Sequence, residues 1–369
     1  MVQHFLNAMG RRYASAALLL AGALLLPAPS LASGRAAGKT AAKTDARELW
    51  VMSLDGGRSL TWERNFQSER EVHADRHFWT KVVNFIAGAP DYHALVRPYS
   101  IVTDSRGRII VTDPGAAGVH IFDFAQHKYK FLERTGKNDS MLNPQCVAVD
   151  DHDNIYVTDS EAGEIFVFEP GGRHLRTIGA LKGGEGYYKR PTGIAVDSAA
   201  QRIYVSDTLR DKVYVLDMQG NILATIGKEG RGEGEFRYPT ELRLAGSTLL
   251  VVDSLNFRVQ AFDLSGKFQY AIGQIGDGPG AMFRPKAVGI DSEGDLYVVD
   301  GLWGVVQVFN RQSQLLYYFG ARGTHAGEFQ LPTGLFIDHN DRVFVVDSFN
   351  RRVQEFQYAG QKTEPGDGK

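Results

Sequence analysis

The chain has 369 residues, a formal net charge of −2 and an isoelectric point near 6.6. This nearly neutral charge gives no electrostatic reason to expect a nucleic-acid partner. The single cysteine excludes an intramolecular disulfide and also a RING-type zinc domain, which needs several Cys and His ligands.

The N-terminal segment 1–32 has the three parts of a secretory signal peptide. Two basic residues, Arg11 and Arg12, precede a run of Ala, Leu and Gly over 14–26, and 30–32 offers a small-x-small cleavage site. The apolar run is shorter than the roughly 20 residues of an ordinary membrane span. We therefore expect a periplasmic or secreted protein that does not span the membrane once the signal is removed. An uncleaved amphipathic anchor is the alternative.

Residues 33–47 are mainly Ala, Gly, Lys and Thr, which is typical of a flexible linker. Residues 50–62 predict a hairpin, and 60–66 is the best candidate for a strand that closes the last repeat. Apolar residues follow helical spacing over 76–87 and predict a short helical insertion. Within that segment, 82–87 competes with 60–66 as the closing strand.

Six copies of one pattern follow, each a Pro, an apolar run, a turn and a second apolar run that ends in Asp. Both markers keep a period of 46–48 residues, which predicts a β-propeller with one blade per repeat. The prolines are Pro98, Pro144, Pro191, Pro239, Pro285 and Pro332, and the Asp residues are Asp113, Asp159, Asp207, Asp253, Asp300 and Asp347. The prediction is an all-β, six-bladed propeller over 48–360 with four-stranded antiparallel blades. An N-terminal strand closes the ring, because the last repeat supplies three strands before the polar tail 361–369.

Segments 252–262 and 346–356 share the pattern Val-Asp-Ser-x-Asn-x-Arg-Val-Gln-x-Phe. With the Gly-rich loops and the Pro starts, they resemble NHL repeats over roughly residues 90–358. In the first copy, Asp113-Pro-Gly departs from the pattern, and in the fourth Ala245 replaces an earlier Asp. The resemblance implies a six-bladed propeller used as a binding platform; a minority of related propellers are enzymes.

The search for catalytic chemistry gives little. Related lyases that cleave hydroxyglycine peptides carry zinc-binding His directly after the repeat prolines, but those positions here are Tyr99, Gln145, Thr192, Thr240, Lys286 and Thr333. His73 and His77 lack a third ligand nearby, the calcium-like turn 150–154 matches polar turns in the other repeats, and Cys146 lies in an apolar strand. We predict no catalytic residue, no metal and no cofactor. The repeated Asp is expected to bond the turn of its own blade.

Residues at equivalent loop positions differ between the repeats. These loops lie on one face of a propeller, which by convention is the top. Arg97, Arg190 and Arg284 come directly before prolines of alternate blades, and Lys286 follows one of them. Long side chains tolerated at a loop end explain this pattern, and so does a rim that binds an anion or an acidic partner.

The loops between the second and third strands carry apolar residues in blades three to six, where polar turns are expected: Leu209, Leu255, Leu302, Trp303 and Phe349. They predict either a contact patch or side chains that fold back over their own blades.

These observations together predict a non-enzymatic binding or scaffold propeller of the cell envelope. Its top face engages a protein, a peptide or an envelope polymer. The alternative is a propeller hydrolase or lyase acting on a lactone or a sugar-like substrate. A third interpretation, RNA binding as in some eukaryotic NHL proteins, is opposed by export and by the neutral charge.

Overall fold

The structure is a computed structural model that describes residues 50–73, 92–135, 140–181, 186–276 and 278–360. Short strands with alternating side chains build it, separated by turns rich in Gly, Asn and Asp. In the N-terminal part, β1 (Val51–Ser53) and β2 (Ser59–Phe66) form a hairpin. Four 3₁₀ helices are described, at Asp55–Gly57, Glu69–His73, Ser254–Asn256 and Ser348–Asn350.

The repeats form the blades, each an antiparallel sheet whose strands follow chain order. The first three blades contain β3 (Ile101–Thr103), β4 (Ile109–Asp113), β5 (Gly118–Asp123), β6 (Lys128–Leu132); β7 (Pro144–Val149), β8 (Ile155–Asp159), β9 (Glu164–Phe168), β10 (His174–Ile178); and β11 (Pro191–Asp197), β12 (Arg202–Asp207), β13 (Lys212–Asp217), β14 (Ile222–Ile226). The last three contain β15 (Pro239–Ala245), β16 (Thr248–Asp253), β17 (Arg258–Asp263), β18 (Phe268–Ile272); β19 (Pro285–Ile290), β20 (Leu296–Asp300), β21 (Val305–Phe309), β22 (Leu315–Phe319); and β23 (Pro332–Ile337), β24 (Arg342–Asp347), β25 (Arg352–Ala359).

The N-terminal hairpin completes the sixth blade. Strand β2 pairs antiparallel with β25 from Ser59 opposite Ala359 to Phe66 opposite Val353. Strand β1 lies outside β2, so this blade has five strands. The Trp50 ring lies 5.5 Å from the ring of Phe356 and packs against the apolar cluster that contains it.

The prediction of an all-β, six-bladed propeller closed by an N-terminal strand is therefore confirmed, and the segment 60–66 lies within that strand. The fifth strand of the last blade goes beyond the predicted four. The predicted helical insertion at 76–87 and the competing strand at 82–87 lie outside the described residues.

The core consists of six apolar clusters, each formed between two consecutive blades. The cluster between the sixth and first blades contains Phe66 and Val353 from one side and Ile101 and Val111 from the other. First strands contact first strands in cyclic order around the axis, including β23 with β3. Closure removes the exposed sheet edges that an open array would leave.

The two loops that matter for function leave each blade at the same end. In blades two to six the repeat Pro, at the start of the first strand, pairs directly with the Asp that ends the second strand. The loop entering the first strand and the loop joining the second to the third strand therefore lie side by side. We call the surface that they form the top face.

Candidate functional site

The repeated Asp holds the two top-face loops together. In the third blade the buried Asp207 carboxylate accepts the backbone N–H groups of Lys189 at 2.9 Å and Arg190 at 3.0 Å. In the fifth blade Asp300 likewise accepts those of Phe283 at 2.6 Å and Arg284. This Asp is a structural residue that fixes where the residues before each Pro lie.

The residues that carry the NHL resemblance also have a structural role. Asn256 donates its side-chain amide to Asp253 at 2.8 Å and to the Gly230 carbonyl at 2.9 Å, which joins the turn to the long loop. Asn350 makes the equivalent bonds in the sixth blade. The shared pattern therefore describes how a blade is built.

Three cations lie at the mouth of the central channel: Arg190, Arg284 and Lys286, which we call the mouth cations. Burial lowers the pKa of Lys286, and the positive charges of Arg284 and Arg190 lower it further. The guanidinium of Arg190 lies 5.8 Å from the centre of the Tyr238 ring. The predicted rim residues Arg190, Arg284 and Lys286 are thus brought together; Arg97 is exposed on the rim of the first blade.

Below the mouth, Glu241 and Arg243 of β15 form an ion pair at 2.6 Å. Arg243 also donates to the Leu335 carbonyl at 2.9 Å and to the Val288 carbonyl at 3.3 Å, so it joins three first strands across the channel. Its guanidinium lies 5.0 Å from the centre of the Phe336 ring. Arg243 therefore separates a polar upper half from a mainly apolar cavity of about 230 Å³ below.

Two neighbouring groups in the channel are uncharged at neutral pH. Burial raises the pKa of the Tyr99 hydroxyl and of the Cys146 thiol well above their ordinary values. A protonated thiol is a poor nucleophile, so Cys146 acts as a small buried residue. Burial also raises the pKa of Glu241 to about 7, although Arg243 opposes this shift.

The predicted apolar loop residues do not all behave alike. Leu209 and Leu255 are 43% and 42% exposed, and Phe349 is 61% exposed. Leu302 and Trp303 are half-buried. Leu302 and Phe349 line one cavity of about 350 Å³ with Leu331, whereas Leu255 lines another with Phe257 and Ile275.

The calcium-like turn has a structural explanation. The carboxylate of Asp150 accepts the backbone N–H groups of His152 and Asn154 and the Asn154 side-chain amide, at 2.8–3.0 Å. Asp150, Asp151 and His152 form the one cluster with metal-ligand spacing in the described part of the chain. It lies in the β7–β8 turn, at the end of the blade opposite the top face. His77 of the predicted His73–His77 pair is outside the described residues.

Several residues of this face were missed by sequence reasoning. Phe283 and Leu331 are exposed beside the predicted rim. Their positions, two residues and one residue before a repeat Pro, are the available signal. The sequence carries no such signal for Glu241 and Arg243, because neither residue recurs in the other repeats.

Comparison with known proteins agrees with this geometry. A family model described as 6-bladed beta-propeller matches residues 135–209, 196–245 and 237–303. The chain is a six-bladed β-propeller. No curated protein matches its sequence. The match supports the propeller fold. The finer resemblance to NHL repeats stays a prediction.

Solved structures with the same architecture come from proteins of different kinds. A streptogramin B lyase is 14% identical, with 71% of this chain and 93% of that chain covered and a TM-score of 0.52. An auxiliary nutrient binding protein from Bacteroides thetaiotaomicron is 14% identical, with 72% of this chain and 69% of that chain covered and a TM-score of 0.55. The hydrazine synthase of Kuenenia stuttgartiensis is 12% identical, with 73% of this chain and 97% of that chain covered and a TM-score of 0.52. At these identities the likeness shows the fold alone.

Proposed function

We propose that this propeller is an exported, non-enzymatic binding protein whose top face engages a protein or peptide of the cell envelope. The observation that carries the proposal is where large apolar side chains meet solvent among the described residues. Most of them are on top-face loops: Val96, Leu142, Leu181, Leu209, Leu255, Ile275, Phe283, Leu331 and Phe349. The others are on outer strands and do not share one face: Val51, Leu175, Ile222, Leu223, Leu316 and Tyr318.

Apolar groups gathered on one face and bordered by cations are typical of a protein-binding surface. The mouth cations lie on the same face as the apolar loops, and the rim has polar residues between them. A rim of this kind adds mainly to association rate and specificity, while buried apolar anchors supply most of the binding free energy. Fold neighbours include both a lyase and a nutrient-binding protein, so the proposal depends on the surface of this chain and not on its fold.

The test is capture of partners from an envelope fraction by the immobilised propeller. Leu255→Ala and Phe349→Ala remove exposed top-face groups, and we expect each to weaken capture about tenfold or more. The matched controls are Leu223→Ala and Tyr318→Ala, which remove exposed groups of similar size from the outer strands β14 and β22. Equal capture by all four variants and the parent would overturn the proposal.

Export is the second part of the proposal and rests on residues 1–32. No helix in the described part of the chain is long and apolar enough to cross a membrane. Replacing Leu18, Leu19 and Leu20 by Asp destroys the apolar segment that a secretion channel recognises. We expect the precursor to stay in the cytoplasm, as judged by fractionation and by its uncleaved mass. A shortened protein outside the inner membrane would contradict this part.

A further inference from the structure

Gly301, at the start of a top-face loop in the fifth blade, joins the mouth cations to the apolar cavity beside them. Its backbone N–H donates to the Arg284 carbonyl at 3.0 Å. A Cβ at this position would lie 3.0 Å from the Lys286 Cγ and 3.0 Å from the Pro332 carbonyl oxygen. The Lys286 stem therefore packs directly against Gly301, which is also a wall residue of the 350 Å³ cavity.

Two hydrogen bonds join the loops around this cavity, one between backbone groups and one from the side chain of Arg322, which also lines the cavity. The Phe349 N–H donates to the Gln330 carbonyl at 3.1 Å, which joins the last top-face loop to the one before β23. On the other side, the Arg322 guanidinium donates to the Leu302 carbonyl at 3.0 Å. Leu302, Leu331 and Phe349 thus form apolar walls at fixed positions, with the Gln330 side chain exposed at the edge.

The charge beside this cavity lacks a carboxylate partner. Within the described ranges, none of the mouth cations makes an ion pair, and the nearby buried acid, Glu241, pairs with Arg243. Arginines elsewhere in the blades do face carboxylates, as in Arg352 with Asp347 at 2.7 Å. Lys286 is partly buried beside the positive charges of Arg284 and Arg190, which is costly, so an incoming anion relieves both effects.

We infer that this site takes the free C-terminal residue of a peptide or protein. The α-carboxylate lies at Arg284 and Lys286, and the apolar side chain of the same residue lies among Leu302, Leu331 and Phe349. The Gln330 amide is placed to bond the peptide backbone at the cavity edge. An internal residue with an apolar side chain has no carboxylate of its own, so only a C-terminal residue offers both groups together. The cavity volume is near the lower end of ligand sites, which suits one side chain. The inference rests on the proposed function and names the part of the partner that is recognised.

The test uses purified protein and a fluorescein-labelled hexapeptide, Gly-Ser-Gly-Ser-Ala-Phe, in fluorescence anisotropy. Three forms are compared: the free acid, the C-terminal amide, and the free acid ending in Ser instead of Phe. We expect the amide and the Ser-terminated peptide each to bind at least tenfold more weakly than the Phe acid.

Variants assign the two halves of the site. Lys286→Met keeps the length and the packing against Gly301 but removes the charge, and should abolish the preference for acid over amide. Phe349→Ala should weaken the Phe acid and its amide by the same factor. The control Lys267→Met removes an exposed charge from a turn at the opposite end of the fourth blade and should leave all affinities unchanged.

Three outcomes would overturn the inference. Equal affinity for the free-acid peptide and its C-terminal amide would show that the mouth cations do not bind the α-carboxylate. The absence of peptide binding at millimolar concentration would reject the site, while the proposed function would still be judged separately by Leu255→Ala in the envelope capture. Competition by decanoate at lower concentration than the unlabelled Phe acid would assign the site to a free amphiphilic acid instead of a peptide end.

Discussion

The buried Asp at the end of each second strand shows how one residue can look functional and be structural. It lies at the same position in all six blades, and in each it accepts backbone N–H groups of the residues that precede the Pro. Its surroundings differ between blades. Burial raises the pKa of Asp253 and Asp347, whereas His120 and two backbone N–H groups overcome burial and lower the pKa of Asp113. The common property is the hydrogen bonding.

Replacement of this Asp should therefore cost stability without a partner being involved. Asp207→Asn keeps the shape but puts an amide NH₂ where backbone N–H groups of Lys189 and Arg190 donate. Buried donors left without acceptors cost about 1–3 kcal/mol, and we expect a loss of that size in urea unfolding. Asp197→Asn, at the other end of the same blade, is the control and should change stability by about 0.5 kcal/mol or less. Equal losses in the two variants would contradict the assignment.

Glu241 gives a prediction about pH. Its pKa is about 7 in the folded protein against an ordinary value of 4.5, because the side chain is only 4% exposed. The folded state therefore binds the proton of the Glu241 carboxyl more tightly than the unfolded state does. The stability gained from this protonation is complete below pH 4.5 and is lost as the pH rises to about 7. Glu241→Gln cannot titrate, and its unpaired Arg243 stays charged throughout. The stability of the parent should fall relative to Glu241→Gln between pH 5 and pH 7, by up to about 1.4 kcal/mol per pH unit. Urea unfolding at four pH values measures this difference, and parallel curves would show that Glu241 does not titrate in this range.

At the scale of elements, each loop that enters a first strand has a buried part and an exposed part. Three residues before each Pro an apolar side chain fills the groove between two blades: Leu95, Met141, Tyr188, Phe236, Met282 and Phe329. In blades one, two, three and five the Asp carboxylate holds the next two residues at the top face, whereas in blades four and six it holds only the first of them, Arg237 and Gln330. The repeat spacing predicts this division, because it marks the position that must be apolar in every copy. It does not predict which of the exposed neighbours line a shared cavity, since that depends on the path of loops from different blades.

Two phenylalanines of the sixth repeat test the division. Phe329 is fully buried between the fifth and sixth blades, 6.1 Å from the ring of Phe356, whereas Phe349 is largely exposed. Phe329→Ala should cost about 3–5 kcal/mol of stability, as expected for a buried aromatic side chain that leaves a cavity. Phe349→Ala should leave the melting temperature nearly unchanged. A large loss in Phe349→Ala would mean that this side chain belongs to the packing of its own blade.

At the scale of the whole molecule, the sequence predicts the ring well and the channel poorly. The six repeats have nearly equal spacing, but the last supplies only three strands. Its blade therefore needs a fourth strand from elsewhere in the chain, and 60–66 has the pattern to supply it. Channel chemistry depends on single, non-repeated residues. Arg243, which pairs with Glu241 of its own strand, reaches the Val288 and Leu335 carbonyls of two other strands only after the ring has closed. A pattern read within one repeat carries no information on such contacts.

Ring closure itself provides the last prediction. Leu60 and Phe66 of β2 are fully buried, one in the cluster between the fifth and sixth blades and the other in the cluster between the sixth and first. Deleting 33–70 removes both side chains, leaves the hydrogen-bonding edge of β25 unpaired, and opens two neighbouring clusters at once. The blades pack mainly against their two neighbours, and the contacts that Arg243 makes across the channel involve none of the deleted residues, so no other segment compensates.

We therefore expect the 33–70 deletion to lose its cooperative transition in urea and thermal unfolding. The matched control is a deletion of 33–46, which removes none of the strands in the ring and should unfold like the parent. A sharp, parent-like transition in the larger deletion would mean that blade six is stable with three strands. The hairpin would then be an addition to the ring and not its closure.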